Sequence, residues 1–97
     1  MPTFEPQSYY QNYVDGQFVD GGAGRIVVDN PGTGAPLAEQ ASANASDIDA
    51  AVAAARRCHE SGVLSGMRPV ERGRMVRAIG DYLLANIDDI AQLLTLE

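Results

Sequence analysis

The first part of the chain alternates short apolar runs with turn residues, a pattern typical of β-hairpins. Residues 13–14 and 18–19 flank Asp15-Gly16, and a two-residue hairpin turn favours this dipeptide because it needs positive φ angles. A third apolar run, at residues 25–28, follows a glycine-rich loop and is rich in β-branched residues. These runs predict three short strands.

A tight reversal is predicted at residues 30–34, whose sequence is Asn-Pro-Gly-Thr-Gly. The proline fixes one φ angle, and Gly32 and Gly34 permit left-handed conformations. The third strand and the stretch at residues 36–40 are therefore expected to pair as an antiparallel ribbon. Residues 12–41 are thus predicted to form two successive hairpins, which are too short to make a stable sheet without a body to lie on.

Beyond the hairpins the apolar spacing changes to three and four residues, which predicts a first helix over residues 46–61. Ser46 is the expected N-cap, with Asp49 in the capping-box position, and Gly62 ends the helix. The predicted inward face is mostly alanine, so it allows close packing but buries little area. Its members are Ile48, Ala51, Val52, Ala55 and His59.

The same spacing predicts a second and a third helix over residues 69–97, with Pro69 as the first helical residue. Asn86 and Asp89 resemble another cap, so a break is expected near residues 85–86. The predicted apolar stripe consists of Val76, Ile79, Leu83, Ile87, Ile90 and Leu94. The fold class is therefore α+β, with two hairpins followed by two to three helices.

Residues 1–11 lack any periodicity and are predicted to form a flexible N-terminal arm, mobile unless a partner holds it. Residues 12–97 then form one unit. At Glu97 the apolar pattern is interrupted without a stop signal, so either the last helix frays or the polypeptide continues. The N-terminus does not resemble a secretory signal, and the single cysteine fits a cytoplasmic location because it excludes an internal disulfide.

The formal net charge of −6 opposes binding to nucleic acid or to anionic membranes, and no apolar run is long enough to span a bilayer. All seven cations are arginine, and four lie within ten residues: Arg68, Arg72, Arg74 and Arg77. Two interpretations remain open for this cluster. It is either an anion or carboxylate clamp, or else a solvated helix face or a set of salt bridges to an acidic surface of the same assembly.

No motif in the sequence is catalytic. Cys58 and His59 are adjacent on a helix, so their side chains point about 100° apart and cannot act as nucleophile and base. A packed thiol and a half-buried histidine are expected instead. One cysteine and one histidine give no metal-ligand spacing, and the glycines match no phosphate-binding loop. Catalytic and cofactor-binding residues are therefore predicted to be absent from this chain.

The order of these elements resembles the N-terminal segment of the NAD(P)-dependent aldehyde dehydrogenase superfamily. The residues that carry the resemblance span about residues 11–97 and form five motifs in the family's order. They are the hairpin "YVDGQFV", the turn "NPGTG", the helix "DIDAAVAAAR", the helix "RPVERGRMV" and the terminal "LE". The family's usual tryptophan after the first helix is missing, which affects packing there.

The resemblance implies hairpins and helices that form the outer part of an α/β dinucleotide-binding domain. In such enzymes a cysteine attacks the aldehyde, hydride passes to the nicotinamide, a glutamate activates water, and an asparagine helps bind the oxyanion. All of these groups, and the site for NAD or NADP, would lie in a missing remainder or a partner chain. The resemblance also implies that the backbone carbonyls of Val28 and Asp29 help hold a structural alkali cation.

The leading hypothesis is therefore a structural N-terminal segment or small subunit of an aldehyde dehydrogenase, inactive alone and part of a homo- or hetero-oligomer. Its expected partner is the remainder or a larger subunit, with no nucleic acid and no membrane. The alternative is an independent helical interaction module that self-associates through its Ile/Leu stripe and docks an acidic partner through the arginines. A remnant without a role is a third possibility.

Overall fold

The structure is a computed structural model that describes residues 4–97. Five strands precede three helices, which confirms the predicted α+β order. The strands are β1 (Tyr9–Tyr10), β2 (Asn12–Val14), β3 (Gln17–Val19), β4 (Arg25–Asp29) and β5 (Pro36–Ala41). The helices are α1 (Ala45–Ser61), α2 (Pro69–Ala85) and α3 (Ile87–Leu96).

The first predicted hairpin is confirmed. Strand β2 pairs antiparallel with β3, and the two turn residues, Asp15 and Gly16, have φ angles of 53° and 77°. Positive φ at both central positions matches the right-handed twist of the strands that the turn connects. Across the pair, the rings of Tyr13 and Phe18 meet edge to face with centroids 5.1 Å apart.

The second predicted hairpin also forms, because β4 pairs antiparallel with β5, with a register shift between Val28 and Asp29. Asn30 organises the turn: its Oδ1 accepts from the Gly32 N–H at 2.9 Å, and its carbonyl accepts from the Gly34 N–H at 2.7 Å. Gly34 has a φ of 73°. Gly32, which the sequence permits to be left-handed, does not have a positive φ, and the Asn30 side chain closes the turn there.

Strand β1 was not predicted. It pairs in parallel with β5, with Tyr9 opposite Glu39, so the larger sheet has the order β1-β5-β4. A parallel pair joins residues distant in sequence and therefore leaves no local hairpin signal. Residues 1–3 of the predicted arm lie outside the described residues, and the flexibility of the arm stays a prediction.

The capping residue predicted for α1 is wrong. Asn44, not Ser46, is the N-cap, and it forms a reciprocal capping box with Asp47 rather than with Asp49. The left-handed Gly62 ends the helix as predicted, with a φ of 74°.

The predicted break between the second and third helices is confirmed at Asn86. Its side chain does not cap α3, however. The Asn86 amide Nδ2 donates backwards to the Tyr82 carbonyl at 2.9 Å, and this bond secures the end of α2 instead.

The molecule is a thin layer with almost no core. Its radius of gyration is 17.2 Å and its extents are 49 × 36 × 17 Å, whereas a compact chain of about 100 residues has a radius near 13 Å. Among residues 4–97, Ala41 is the only buried hydrophobic residue, with 7% of its surface exposed. The hairpins and helices therefore lie side by side rather than around a shared interior.

Candidate functional site

The most prominent feature of this layer is its uncovered apolar surface. The accessible area is 7533 Å², against about 5,400 Å² for a compact monomer of this mass. The excess of roughly 2,000 Å² matches what one partner contributes to a large obligate interface. Seventeen large apolar side chains are exposed within the described residues, and those on α2 and α3 are Val70, Met75, Val76, Ile79, Tyr82, Leu83, Leu84, Ile87 and Leu94.

Only part of the predicted inward face of α1 is covered by other residues of the chain. Ala51 is partly covered, together with Asp47 and Ala54, on the side of α1 that faces the first hairpin. Ile48 and Val52 remain exposed, at 54% and 61%. The sequence therefore identified an apolar stripe correctly, but most of this stripe has no cover within residues 4–97.

An open groove of about 430 Å³ separates the first hairpin from α1. Tyr13, Val19 and Ile48 form part of its apolar walls, while Asp20 and Asp47 add carboxylates. Acidic walls oppose binding of an anionic pyrophosphate, so this groove is a poor dinucleotide site.

Asp47 joins the loop after β3 to the start of α1. Its Oδ2 accepts from the backbone N–H of Gly22 at 2.7 Å and from that of Asn44 at 2.8 Å. These two bonds, that from Gly22 first, hold the pKa of the Asp47 carboxyl below its usual value. At this helix N-terminus the Asn44 side chain already accepts from the Asp47 N–H, and the negative Asp47 carboxylate disfavours a second anion such as a phosphate.

A second polar cluster lies on the larger sheet. The Tyr9 hydroxyl donates to Asp20 Oδ1 at 2.7 Å, and the Arg25 guanidinium lies 3.7 Å from the centroid of the Tyr9 ring. Arg25 also pairs with Glu39 at 2.9 Å. The hydrogen bond from Tyr9 lowers the pKa of Asp20 below its usual value, and the same bond raises the pKa of Tyr9. Nothing in the sequence pattern signalled this cluster, because it depends on the unpredicted strand β1.

The expectation for Cys58 and His59 is wrong in one respect, because both side chains are exposed rather than packed. Cys58 borders a second open groove, of about 370 Å³, between α1 and the Asp15-Gly16 turn. This turn is tied to the same helix by an ion pair of 3.0 Å between Asp15 and Arg57.

The four clustered arginines do not form one site. Arg72 donates to the carbonyls of Leu64 and Met67, at 3.2 and 2.6 Å, and so secures the loop before α2. Arg68 pairs with Glu71 at 3.2 Å. Within the part of the chain that the structure describes, Arg74 and Arg77 make no ion pair. The solvated-face interpretation therefore accounts for Arg68, and a loop contact accounts for Arg72.

Val28 and Asp29 lie at the register shift that ends β4. Two backbone carbonyls supply only part of a coordination shell, since hard cations such as Ca²⁺ take about six to eight oxygen ligands. Residues 4–97 contain no group of three or more His, Cys, Asp or Glu side chains placed to hold a metal ion. Any cation at this position would need further ligands from another segment.

Comparison with known proteins decides what this layer belongs to. The family model described as the aldehyde dehydrogenase family matches residues 18–97. The chain belongs to the aldehyde dehydrogenase family. As in that family's N-terminal region, its hairpins precede its helices, and the resemblance seen in the sequence is confirmed.

Individual relatives agree. The chain is 36% identical over 86 residues to DhaS of Bacillus subtilis, whose name places it among the aldehyde dehydrogenases; the match covers 88% of this chain and 17% of DhaS. It is 34% identical over 89 residues to the mitochondrial 10-formyltetrahydrofolate dehydrogenase of Homo sapiens, covering 91% of this chain and 10% of that protein. The chain thus spans about a sixth or less of these relatives.

A solved structure shows the same arrangement. The betaine aldehyde dehydrogenase of Staphylococcus aureus, determined in complex with NAD⁺, matches with a TM-score of 0.85 and 31% identity. The match covers 89% of this chain and 17% of that enzyme.

None of the helices within residues 4–97 is long and apolar enough to cross a bilayer.

Proposed function

We propose that this chain is the structural N-terminal layer of an NAD(P)-dependent aldehyde dehydrogenase, as a segment of a longer chain or as a small subunit. The observation that carries the proposal is the one-layer shape, with apolar faces on α1, α2 and α3 left uncovered. Burial of such faces is the main favourable term in association, so this layer needs a larger body against which to fold.

The catalytic work is assigned to that larger body. The nucleophilic cysteine, the glutamate that activates water and the oxyanion-binding asparagine would all lie in the remainder, so this chain alone is inactive. Cys58 is exposed, and the adjacent His59 points in another direction on α1, so it cannot act as the base for the Cys58 thiol. This geometry supports assigning catalysis to the remainder.

The cofactor, NAD or NADP, would also be held by the remainder. Two features of the described residues support this: carboxylates wall the groove between the first hairpin and α1, and the start of α1 is capped by the chain itself. The bound cofactor would accept hydride from the substrate. This chain would contribute the scaffold that supports the domain around it.

Val28 and Asp29 are proposed to contribute two backbone carbonyls to a structural alkali cation, with the other ligands supplied by the remainder. The partner is the remainder itself or a larger subunit, within a homo- or hetero-oligomer located in the cytoplasm. The layer's net charge of −6 supports a partner that is neither nucleic acid nor an anionic membrane.

The test is purification of the untagged protein from its native source under mild conditions, followed by denatured intact-mass measurement and a reduction assay. The assay supplies NAD⁺ or NADP⁺ with a panel of aldehydes of different size. A 10.3 kDa chain that copurifies with a larger chain, with active reduction, would identify a small subunit. An active single chain several times heavier would identify an N-terminal segment.

A lone 10.3 kDa species without reducing activity would overturn the proposal. The helical interaction module would then be the leading hypothesis, with Arg74 and Arg77 as its exposed cations. Its self-association would be measured by sedimentation of the wild type and of Leu94→Asp. Loss of the oligomer in Leu94→Asp would favour that module over a remnant without a role.

A further inference from the structure

The residues just before the first hairpin are fastened to the larger sheet at one end. This segment, residues 4–10, is here called the strap. The Ser8 carbonyl accepts from the Glu39 N–H at 2.9 Å as β1 pairs with β5. Tyr9 then anchors the strap twice, through its hydroxyl bond to Asp20 at 2.7 Å and through the Arg25 guanidinium over its ring.

The other end of the strap reaches the last helix. The backbone N–H of Phe4 donates to Gln92 Oε1 at 2.8 Å, a partly buried bond that links residues 88 positions apart. Tyr10 folds back on the strap, where its hydroxyl accepts from the Gln7 N–H at 2.9 Å. Phe4 and Tyr10 line one groove together with Leu93 of α3.

Helix α3 is not a continuation of α2. Asn86 alone separates it from α2, and this residue is neither helical nor a side-chain cap of α3. A one-residue break between helices leaves their relative direction to be set by what each helix touches. The strap touches α3 and the sheet simultaneously.

We propose that the strap is a brace that fixes α3 against the larger sheet. Tyr9 anchors it at the sheet, and the bond from Phe4 to Gln92 anchors it at α3. The brace is a property of these residues and does not rest on the proposed function. It sets the direction of α3 relative to β5 whether or not the assembled protein oxidises an aldehyde.

Amide hydrogen exchange of the full protein in its native assembly tests the brace. Tyr9→Phe keeps the ring beneath Arg25 but removes the hydroxyl, and Gln92→Met keeps the length of the side chain but removes the acceptor. Loss of one hydrogen bond is expected to raise exchange of the amides at residues 87–96 by about three- to tenfold in each variant. Exchange in α1 should not change.

The double variant gives the sharpest result. Hydrogen bonds that act independently would raise the exchange rate in the double variant by the product of their single effects. Two bonds that hold the same strap would not, because loss of either bond already releases α3. We expect the double variant to exchange no faster than the faster single variant. Tyr13→Phe, which removes the hydroxyl of an exposed tyrosine on β2, is the matched control and should leave α3 unchanged.

A multiplicative double variant would overturn the brace, as would unchanged exchange at residues 87–96 in Tyr9→Phe. Removal of residues 1–4 provides a second check, since it deletes the Phe4 donor without altering Tyr9 or Gln92. It should reproduce the faster exchange of Gln92→Met, and wild-type exchange after this removal would also overturn the brace.

Discussion

Two regions of the molecule differ in which groups find partners within the chain. One is the loop region between β3 and α1, and the other consists of α2 and α3. Between residues 20 and 47, polar groups find partners inside the chain: Asp47 accepts two backbone donors, and Ser42 exchanges bonds with the loop at Ala23 and Gly24. Along α2 and α3, by contrast, large apolar side chains face solvent. Within the described residues these loop groups are hydrogen-bonded inside the chain, whereas the apolar surface of the helices is uncovered. The contact proposed with a larger body would therefore be mainly apolar.

The largest effect is expected where the comparison is sharpest, on the uncovered face of α2. Ile79 is 62% exposed within this layer, so Ile79→Asp should disturb few contacts inside the chain itself. In the assembled protein it should cost more than about 3 kcal/mol, because a carboxylate replaces a buried isobutyl-sized group. Size-exclusion chromatography and denaturant unfolding of the assembly measure the loss.

Ala78→Asp is the matched control, since it introduces the same charge one turn from Arg74 on another side of α2. It should leave the assembly intact. If Ile79→Asp also leaves association and unfolding unchanged, the α2 face is not a docking surface and the interpretation of the exposed apolar layer is wrong.

The next effect tests the internally satisfied region. A Cβ at Gly21 would lie 1.9 Å from the Ser42 carbonyl oxygen, and a backbone atom cannot swing aside as a side chain can. Gly21→Ala should therefore destabilise the protein by about 3 kcal/mol, the upper range of overpacking. Urea unfolding of the assembled protein checks it.

Gly73→Ala is the control for this change, because a Cβ at Gly73 meets nothing within 4 Å in the described chain. In the same urea unfolding it should not destabilise the protein, because alanine favours a helix over glycine by about 0.5–1 kcal/mol. Equal stability of Gly21→Ala and the wild type would show that the loop and Ser42 do not approach as closely as the structure indicates.

The same two regions show how far sequence reasoning reaches. Asp15-Gly16 predicted its hairpin because the dipeptide fixes the turn by itself, and Pro69 and Gly62 marked helix ends through their own backbone preferences. The strand at Tyr9 was missed because its partner, β5, is about thirty residues away. Local signals identified what is local.

The N-cap of α1 shows the same limit at finer scale. Asn44 with Asp47 and Ser46 with Asp49 are both capping pairs three residues apart, two positions out of phase. The sequence alone cannot choose between them. The choice is made by the Gly22 N–H, which reaches Asp47 from a different loop.

In the candidate site, too, the sequence predicted the features that depend on local periodicity but not those that depend on contacts between distant residues. The apolar stripes of α1 and α2 were visible in the sequence, since their periodicity is local, but which part the hairpin covers was not. The polar cluster at Tyr9, Asp20 and Arg25 could not be found without the unpredicted strand.

A smaller effect separates the two alternative caps. Asn44→Ala should cost about 1 kcal/mol, the usual price of losing a helix N-cap, because its Oδ1 accepts from the Asp47 N–H at 2.9 Å. Ser46→Ala should cost much less. Thermal unfolding of the two variants decides between the caps, and a larger loss for Ser46→Ala would restore the cap that the sequence predicted.

The smallest and most diagnostic effect depends on pH. The bonds from Gly22 and Asn44 depress the pKa of folded Asp47, so its carboxylate stabilises the fold above the unfolded pKa of about 3.9. That contribution is lost as pH falls through the folded pKa. Asp47→Asn should therefore be less stable than the wild type at pH 7, with the difference shrinking below about pH 4.

Asp49→Asn is the matched control, since Asp49 is exposed and does not form the capping box. Its stability relative to the wild type should not follow the same pH course in denaturant unfolding between pH 7 and pH 3. If the two variants show identical pH dependence, the Asp47 carboxylate does not join the loop to the helix. The internally satisfied region would then lose its central contact, and the contrast between the two halves would rest on the apolar surface alone.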